Sequence, residues 1–179
     1  MTRRSVTKGL LFGAMAIVTA AASAVRAPAG TPKSCVALRT PAGAEVLADV
    51  ARTPATRATG LAHRDTWPLD GLLLEWPTAG RHPIWMAGMR VDLDLVWLDE
   101  HARVIGVVFE APRCTTSTCP LLEPADAAAS RAVLELPAGH ARALGLTPGT
   151  VLTRLDLAPS RCVTRTRPSA RRPTLEDLQ

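Results

Sequence analysis

The chain has 179 residues, which leaves room for one domain of about 120–150 residues and short tails. A hydrophobic fraction of 47% is that of a globular fold and excludes a wholly disordered chain. The net charge of +5 sits at the two ends, because residues 25–158 hold 13 basic and 14 acidic side chains. A body so balanced lacks the basic face that nucleic-acid binding requires, and no nucleic-acid partner is expected.

Residues 1–24 read as an export signal. MTRRSVTKG is a charged start, LLFGAMAIVTA is apolar, and Ala22-Ser23-Ala24 is a small-x-small cleavage site. The apolar run is shorter than the roughly 20 residues that span a bilayer, so no transmembrane segment is expected after cleavage. Thr2-Arg3-Arg4-Ser5-Val6-Thr7-Lys8 resembles a twin-arginine signal, with the general secretory route as the alternative. Either route delivers the mature protein to the periplasm or the medium. Residues 25–33 form a Pro/Gly/Ala linker, followed by a β-rich domain over 34–158.

Within that domain the pattern is mostly short strands. CVALR and AEVLADVA flank the turn signal Thr40-Pro41-Ala42-Gly43. Thr53-Pro54 reads as N-cap and first helical position of a short helix that Gly60 ends. LLLEW (72–76) is a buried strand. From Val91 to Trp97 the odd positions are all apolar, whereas Arg90, Asp92 and Asp94 share the other face, as in a core strand emerging at a polar rim. ARVIGVVFEA (102–111) is its antiparallel partner, and RAVLEL (131–136) is another strand. A short helix from Pro137 stops at Gly145, and TVLTRLDL closes the domain. The fold expected is mainly β, a single compact β-barrel or sandwich-like domain with two short helices. Residues 159–179 are an Arg/Pro-rich tail, expected to be disordered, whose charge offers a weak contact with the anionic cell envelope.

Four cysteines in an exported chain point to two disulfides, with three pairings open. Cys114 and Cys119 frame CTTSTC, a loop that a local bridge would close. Cys35 and Cys162 would then join the ends of the folded region, a closure worth about 4–5 kcal/mol. The rival reading of Cys-x4-Cys as a metal or redox pair lacks a second Cys/His pair at ligand spacing.

Common catalytic signatures are missing: no Gly-rich phosphate loop, no His-Glu-x-x-His and no Gly-x-Ser-x-Gly. No cofactor is expected. The chain contains no Asn or Tyr, and its one Gln is Gln179, so recognition must rest on charged groups, hydroxyls, indoles and backbone. Arg64, Asp70, Arg81 and Asp94 stand where strands meet loops, and Arg81 and Asp94 bracket Trp85 and Met86. Arginine forks suit an anionic ligand, although internal pairing with Asp70 and Asp94 is the plainer role. An acid/base role for Asp70 or Asp94 in a hydrolase is an alternative. So is copper(I) held by His82, Met86 and Met89, since thioether and imidazole suit that ion.

The order Gly60-Leu61-x-x-Arg64, Asp70-Gly71-Leu72-Leu73-Leu74, Arg81, Trp85-Met86, Leu93-Asp94-Leu95-Val96-Trp97-Leu98 resembles the family called domain of unknown function 192. It continues through Ala111-Pro112-x-Cys114, Cys119-Pro120, Val133-Leu134-Glu135, Pro137-Ala138-Gly139 and Gly145-Leu146-x-x-Gly149. The resemblance covers about residues 44–155 and implies a small, β-rich, barrel-like and frequently exported domain without an established activity. It also supports a bridge between Cys114 and Cys119. The chain departs from the family at Ala87-Gly88-Met89, where relatives carry a polar Lys-Asn-Thr-like segment, and at Leu121-Leu122, where a Tyr is usual. The expectation is an envelope binding or structural module whose rim pocket of Arg64, Asp70, Arg81, Trp85, Met86 and Asp94 takes a small polar or anionic ligand.

Overall fold

Two short turns and one parallel crossover set the order of the strands. A computed structural model describes residues 34–157, apart from 65, 68 and 126–128, together with Cys162; the segments expected to be an export signal and a linker, and the rest of the tail, lie outside these residues. β1 (Cys35–Arg39) turns back through residues 40–44 into β2 (Glu45–Ala51), with Ala37 opposite Leu47. α1 (Pro54–Thr59) follows, then β3 (Gly71–Gly80), which lies parallel to β2. The helix forms where Thr53 caps it: Thr53 Oγ1 accepts from Thr56 N at 3.1 Å, and Thr53 N donates to Thr56 Oγ1 at 3.0 Å. The crossover then needs a sharp reversal at Gly60, whose φ of 50° favours glycine.

Next come β4 (Ile84–Trp85), β5 (Leu93–Leu98), β6 (Val104–Ala111), β7 (Leu121–Leu122), β8 (Ser130–Pro137), α2 (His140–Ala143) and β9 (Thr153–Leu157). Seven strands make one sheet in the order β6-β5-β8-β3-β2-β1-β9, and β4 pairs with β7 in a separate ribbon. An isolated bridge between Arg103 and Val151 ties the two edges at one corner, yet no ladder joins β6 to β9. The sheet is therefore open and sandwich-like rather than a closed barrel.

The central strands β3, β5 and β8 are buried on both faces. Leu73, Val96, Leu134 and Leu136 pack into one apolar cluster, while Leu72, Leu74, Leu95, Trp97 and Val133 pack into a second. Period-two alternation produces this division directly. The expected strand at Val91–Trp97 starts later, at Leu93. Asp92 instead belongs to a loop in which its Oδ1 accepts from Arg113 N at 3.0 Å. LLLEW extends on to Gly80, and the helix expected from Pro137 shortens to four residues because Pro137 still pairs with Leu93.

Cys35 is joined to Cys162, and Cys114 to Cys119, with Cα–Cα distances of 5.8 and 5.7 Å. Cys35, Cys162 and Leu69 form a small apolar cluster of their own, so the first bridge is packed as well as bonded. Among the described residues no helix is long and apolar enough to cross a membrane.

Candidate functional site

The six residues singled out from sequence do not converge on one cavity. Asp94 is fully buried in β5, and both carboxylate oxygens are occupied by backbone. Oδ1 accepts from Glu110 N at 2.8 Å and Oδ2 from Ala141 N at 2.7 Å. Asp70 Oδ2 accepts from Leu47 N at 3.0 Å, while Asp70 N donates to Leu47 O at 2.9 Å, which clasps the entry of β3 onto β2. The pairing of arginines with these two aspartates is therefore replaced by pairing with backbone. Arg81 forms its ion pair with Glu123 instead, and that arginine is largely in water. An exposed pair of this kind contributes little. Arg81→Ala should change the unfolding free energy by less than about 0.5 kcal/mol, measured by urea titration. A loss above about 2 kcal/mol would reveal a bracing role that the exposed pair does not explain.

Met86 and Met89 are buried in the second apolar cluster. The His82 ring lies flat on Trp76, with centroids 4.0 Å apart. Burial, followed by the nearby charges of Arg57 and Arg131, holds its pKa below the ordinary imidazole value against the opposing Thr78 carbonyl. Among the described residues no group of three or more His, Cys, Asp or Glu side chains could hold a metal ion.

A different site is built around Glu135. In β8 the alternation places Ala132, Leu134 and Leu136 on one face and Val133 and Glu135 on the other. Glu135 stands opposite Leu72 on one side and Leu95 on the other. The turn after α1 then closes over it: a Cβ built on Gly60 would lie 3.3 Å from both carboxyl oxygens. Glu135 is 4% exposed, and its Oε2 has no hydrogen-bond partner. Burial pushes its pKa up to about 7, opposed by the Leu61 backbone hydrogen bond and by the charge of Arg64.

Glu135 is among the residues that line a cleft of about 350 Å³, with its Oε2 closed off from solvent. The walls come from Leu61, Leu74, Ile84 and Met89, with Trp76 and Trp85 alongside, and α1 contributes Arg57. Trp85 is 56% exposed, so its indole is available to an occupant. Arg57 is already engaged: its Nη1 donates to Glu75 O at 3.0 Å and also to Arg52 O, and its guanidinium lies 5.3 Å from the Trp76 ring centroid. A second hollow of about 250 Å³ lies across Gly60 and is lined by Asp49 and Arg64. Burial raises the Asp49 pKa against the opposing effects of the Val50 N–H and Arg64. Of the six sequence candidates, Trp85 lines the first cavity and Arg64 the second.

Glu135 escaped attention in the sequence because an Arg-x-Val-x-Glu face in a strand has the pattern of a solvent-facing side. The available signal was an acid set inside the apolar run VLELP.

Two solved structures share the fold, each with a TM-score of 0.57. One is a Sinorhizobium meliloti 1021 protein whose name suggests transcription regulation; it is 24% identical, and the match covers 68% of this chain and 92% of that one. The other is a Novosphingobium aromaticivorans DSM 12444 protein of unknown function, 26% identical, with coverage of 75% and 98%. No curated protein matches. The family model of DUF192, described as Uncharacterized ACR, matches residues 37–154, and the chain belongs to that family.

Proposed function

We propose that this protein is an exported small-molecule-binding module, with the Glu135 cleft as its binding site. The observation that carries this reading is a buried carboxyl oxygen without a partner on a residue that lines a largely apolar cleft. A folded chain rarely leaves such a group unsatisfied unless something else meets it. An apolar cavity with one or two convergent polar groups has the usual build of a small-ligand site. The ligand lays an apolar body against Ile84 and Trp85 and points a hydrogen-bond donor at Glu135. Two disulfides and the charged, then apolar, residues 1–24 support export.

The test is a fragment screen by ligand-detected NMR on wild type, Trp85→Ala and Arg81→Ala. Hits should keep their affinity in Arg81→Ala and lose about tenfold in Trp85→Ala, the loss of one aromatic contact of about 1.4 kcal/mol. A screen without hits, or hits indifferent to Trp85, would remove the cleft from consideration. Cell fractionation addresses export separately: full-length protein should appear outside the cytoplasm, and protein lacking residues 1–24 should remain inside.

A further inference from the structure

We propose that the ligand of this cleft is a small organic cation, an ammonium group on an apolar body, with Glu135 as its counter-ion. The inference rests on the binding reading above and specifies the chemistry of the occupant.

The argument begins with what the chain withholds from Glu135. A buried carboxylate is ordinarily matched by a cation of its own fold. Here the only two lysines of the chain are Lys8 and Lys33, both outside the described residues. Arg64 is near enough to act through its charge, but it lines the hollow on the far side of Gly60. Arg57 lines the cleft itself; its Nη1 donates to two carbonyls, and its guanidinium lies near the Trp76 face. Glu135 Oε2, buried on a residue that lines the cleft, is left without a partner. An incoming ammonium supplies the missing charge and the missing donor together.

Other occupants fit less well. An anion would face the Glu135 carboxylate. A polyol would need several acceptors and donors around its hydroxyls, yet the chain has no Asn or Tyr and its single Gln is the last residue. The walls at Leu61, Leu74, Ile84 and Met89 suit alkyl groups, and the exposed indole of Trp85 can take a cation on its face.

Binding is then linked to protons. The cation requires the ionised carboxylate, so below about pH 7 it must displace the Glu135 proton into solvent. The neighbouring charges are Arg57 on α1, Arg64 after it, Asp49 on β2 facing Arg64, and Arg131 on β8 near His82. Burial holds the His82 pKa below the ordinary imidazole value, which disfavours a positive charge there.

The experiment uses isothermal titration calorimetry with n-butylammonium and tetramethylammonium, alongside 1-butanol and butyrate, on wild type and Glu135→Gln between pH 5.5 and 8.5. The ammonium probes should bind about fivefold tighter at pH 7 than at pH 6, level off above about pH 8 and release close to one proton at pH 6. In Glu135→Gln their affinity should fall at least tenfold and lose its pH dependence, while butyrate should not bind wild type. Equal binding of butanol and butylammonium would overturn the cation assignment and leave the cleft as a binding site. Ammonium binding that is unchanged in Glu135→Gln would also overturn it. Silence from every probe would overturn it too, with the broader reading left to the fragment screen.

Discussion

Glu135→Gln should make the protein more stable at pH 8, by about 3 kcal/mol, and nearly indifferent in stability near pH 4. The folded protein holds this carboxyl proton up to about pH 7, whereas the unfolded chain releases it near the ordinary glutamate value of 4.5. Below pH 4.5 both states are protonated and the group contributes nothing to the difference. As pH rises from 4.5 to 7 the unfolded state binds fewer protons than the folded state, so stability falls by up to about 1.4 kcal/mol per pH unit. Above pH 7 both states are ionised and the penalty stays constant. Glutamine occupies the same volume without ionising and escapes that penalty. Urea unfolding at half-unit steps from pH 4 to 8.5 reads the effect as a difference between the two proteins, in which the other titrating groups cancel. Parallel curves would mean that Glu135 is solvated, and the cleft would lose its defining feature. A residue whose replacement stabilises the fold is retained for a reason other than stability, and ligand binding supplies one.

Asp94→Ala should cost about 3 kcal/mol, because it strips the acceptor from one buried and one part-buried backbone N–H group at once. The two donors come from different elements. Glu110 stands in β6 with a φ of 52°, within a register shift between Leu93 and Leu95, so the carboxylate holds a bulge whose backbone is itself unfavourable for a non-glycine residue. Ala141 opens α2, which the other oxygen draws onto β5. Asp94→Asn keeps one acceptor and should cost about half as much. Equilibrium denaturation of both variants gives the comparison. A loss under about 1 kcal/mol in Asp94→Ala would show that water or a repacked backbone satisfies those donors. In that case Asp94 would return to consideration as a chemical group.

These two acids mark the limits of reading the chain unaided. Both sit in strands that are otherwise apolar, and one-dimensional alternation assigns each to a polar face. For Asp94 that face proved to be interior, because β5 is flanked by β6 and β8 and its end is capped by α2. For Glu135 it proved to line a cleft, because the turn at Gly60 folds across it. Arg81 stands in the sequence near aspartates, yet it takes Glu123, a residue 42 positions away just past β7. That partner choice cannot be extracted from spacing, since it depends on which loops come to lie beside each other.

The sequence by itself determined the strands, the capped helix before Gly60, the mainly β class, the family resemblance and the inventory of two cysteine pairs. Those properties follow from local periodicity, from capping chemistry and from residue counts, all of which are written along the chain. Tertiary structure alone decided that the sheet stays open, that Asp70 and Asp94 hold backbone, and that Glu135 lines a cleft with one carboxyl oxygen unpartnered. Burial and partner identity are set by strand order and loop crossings. A carboxyl that reads as surface in one dimension becomes the most perturbed acid of the described domain once three elements close around it.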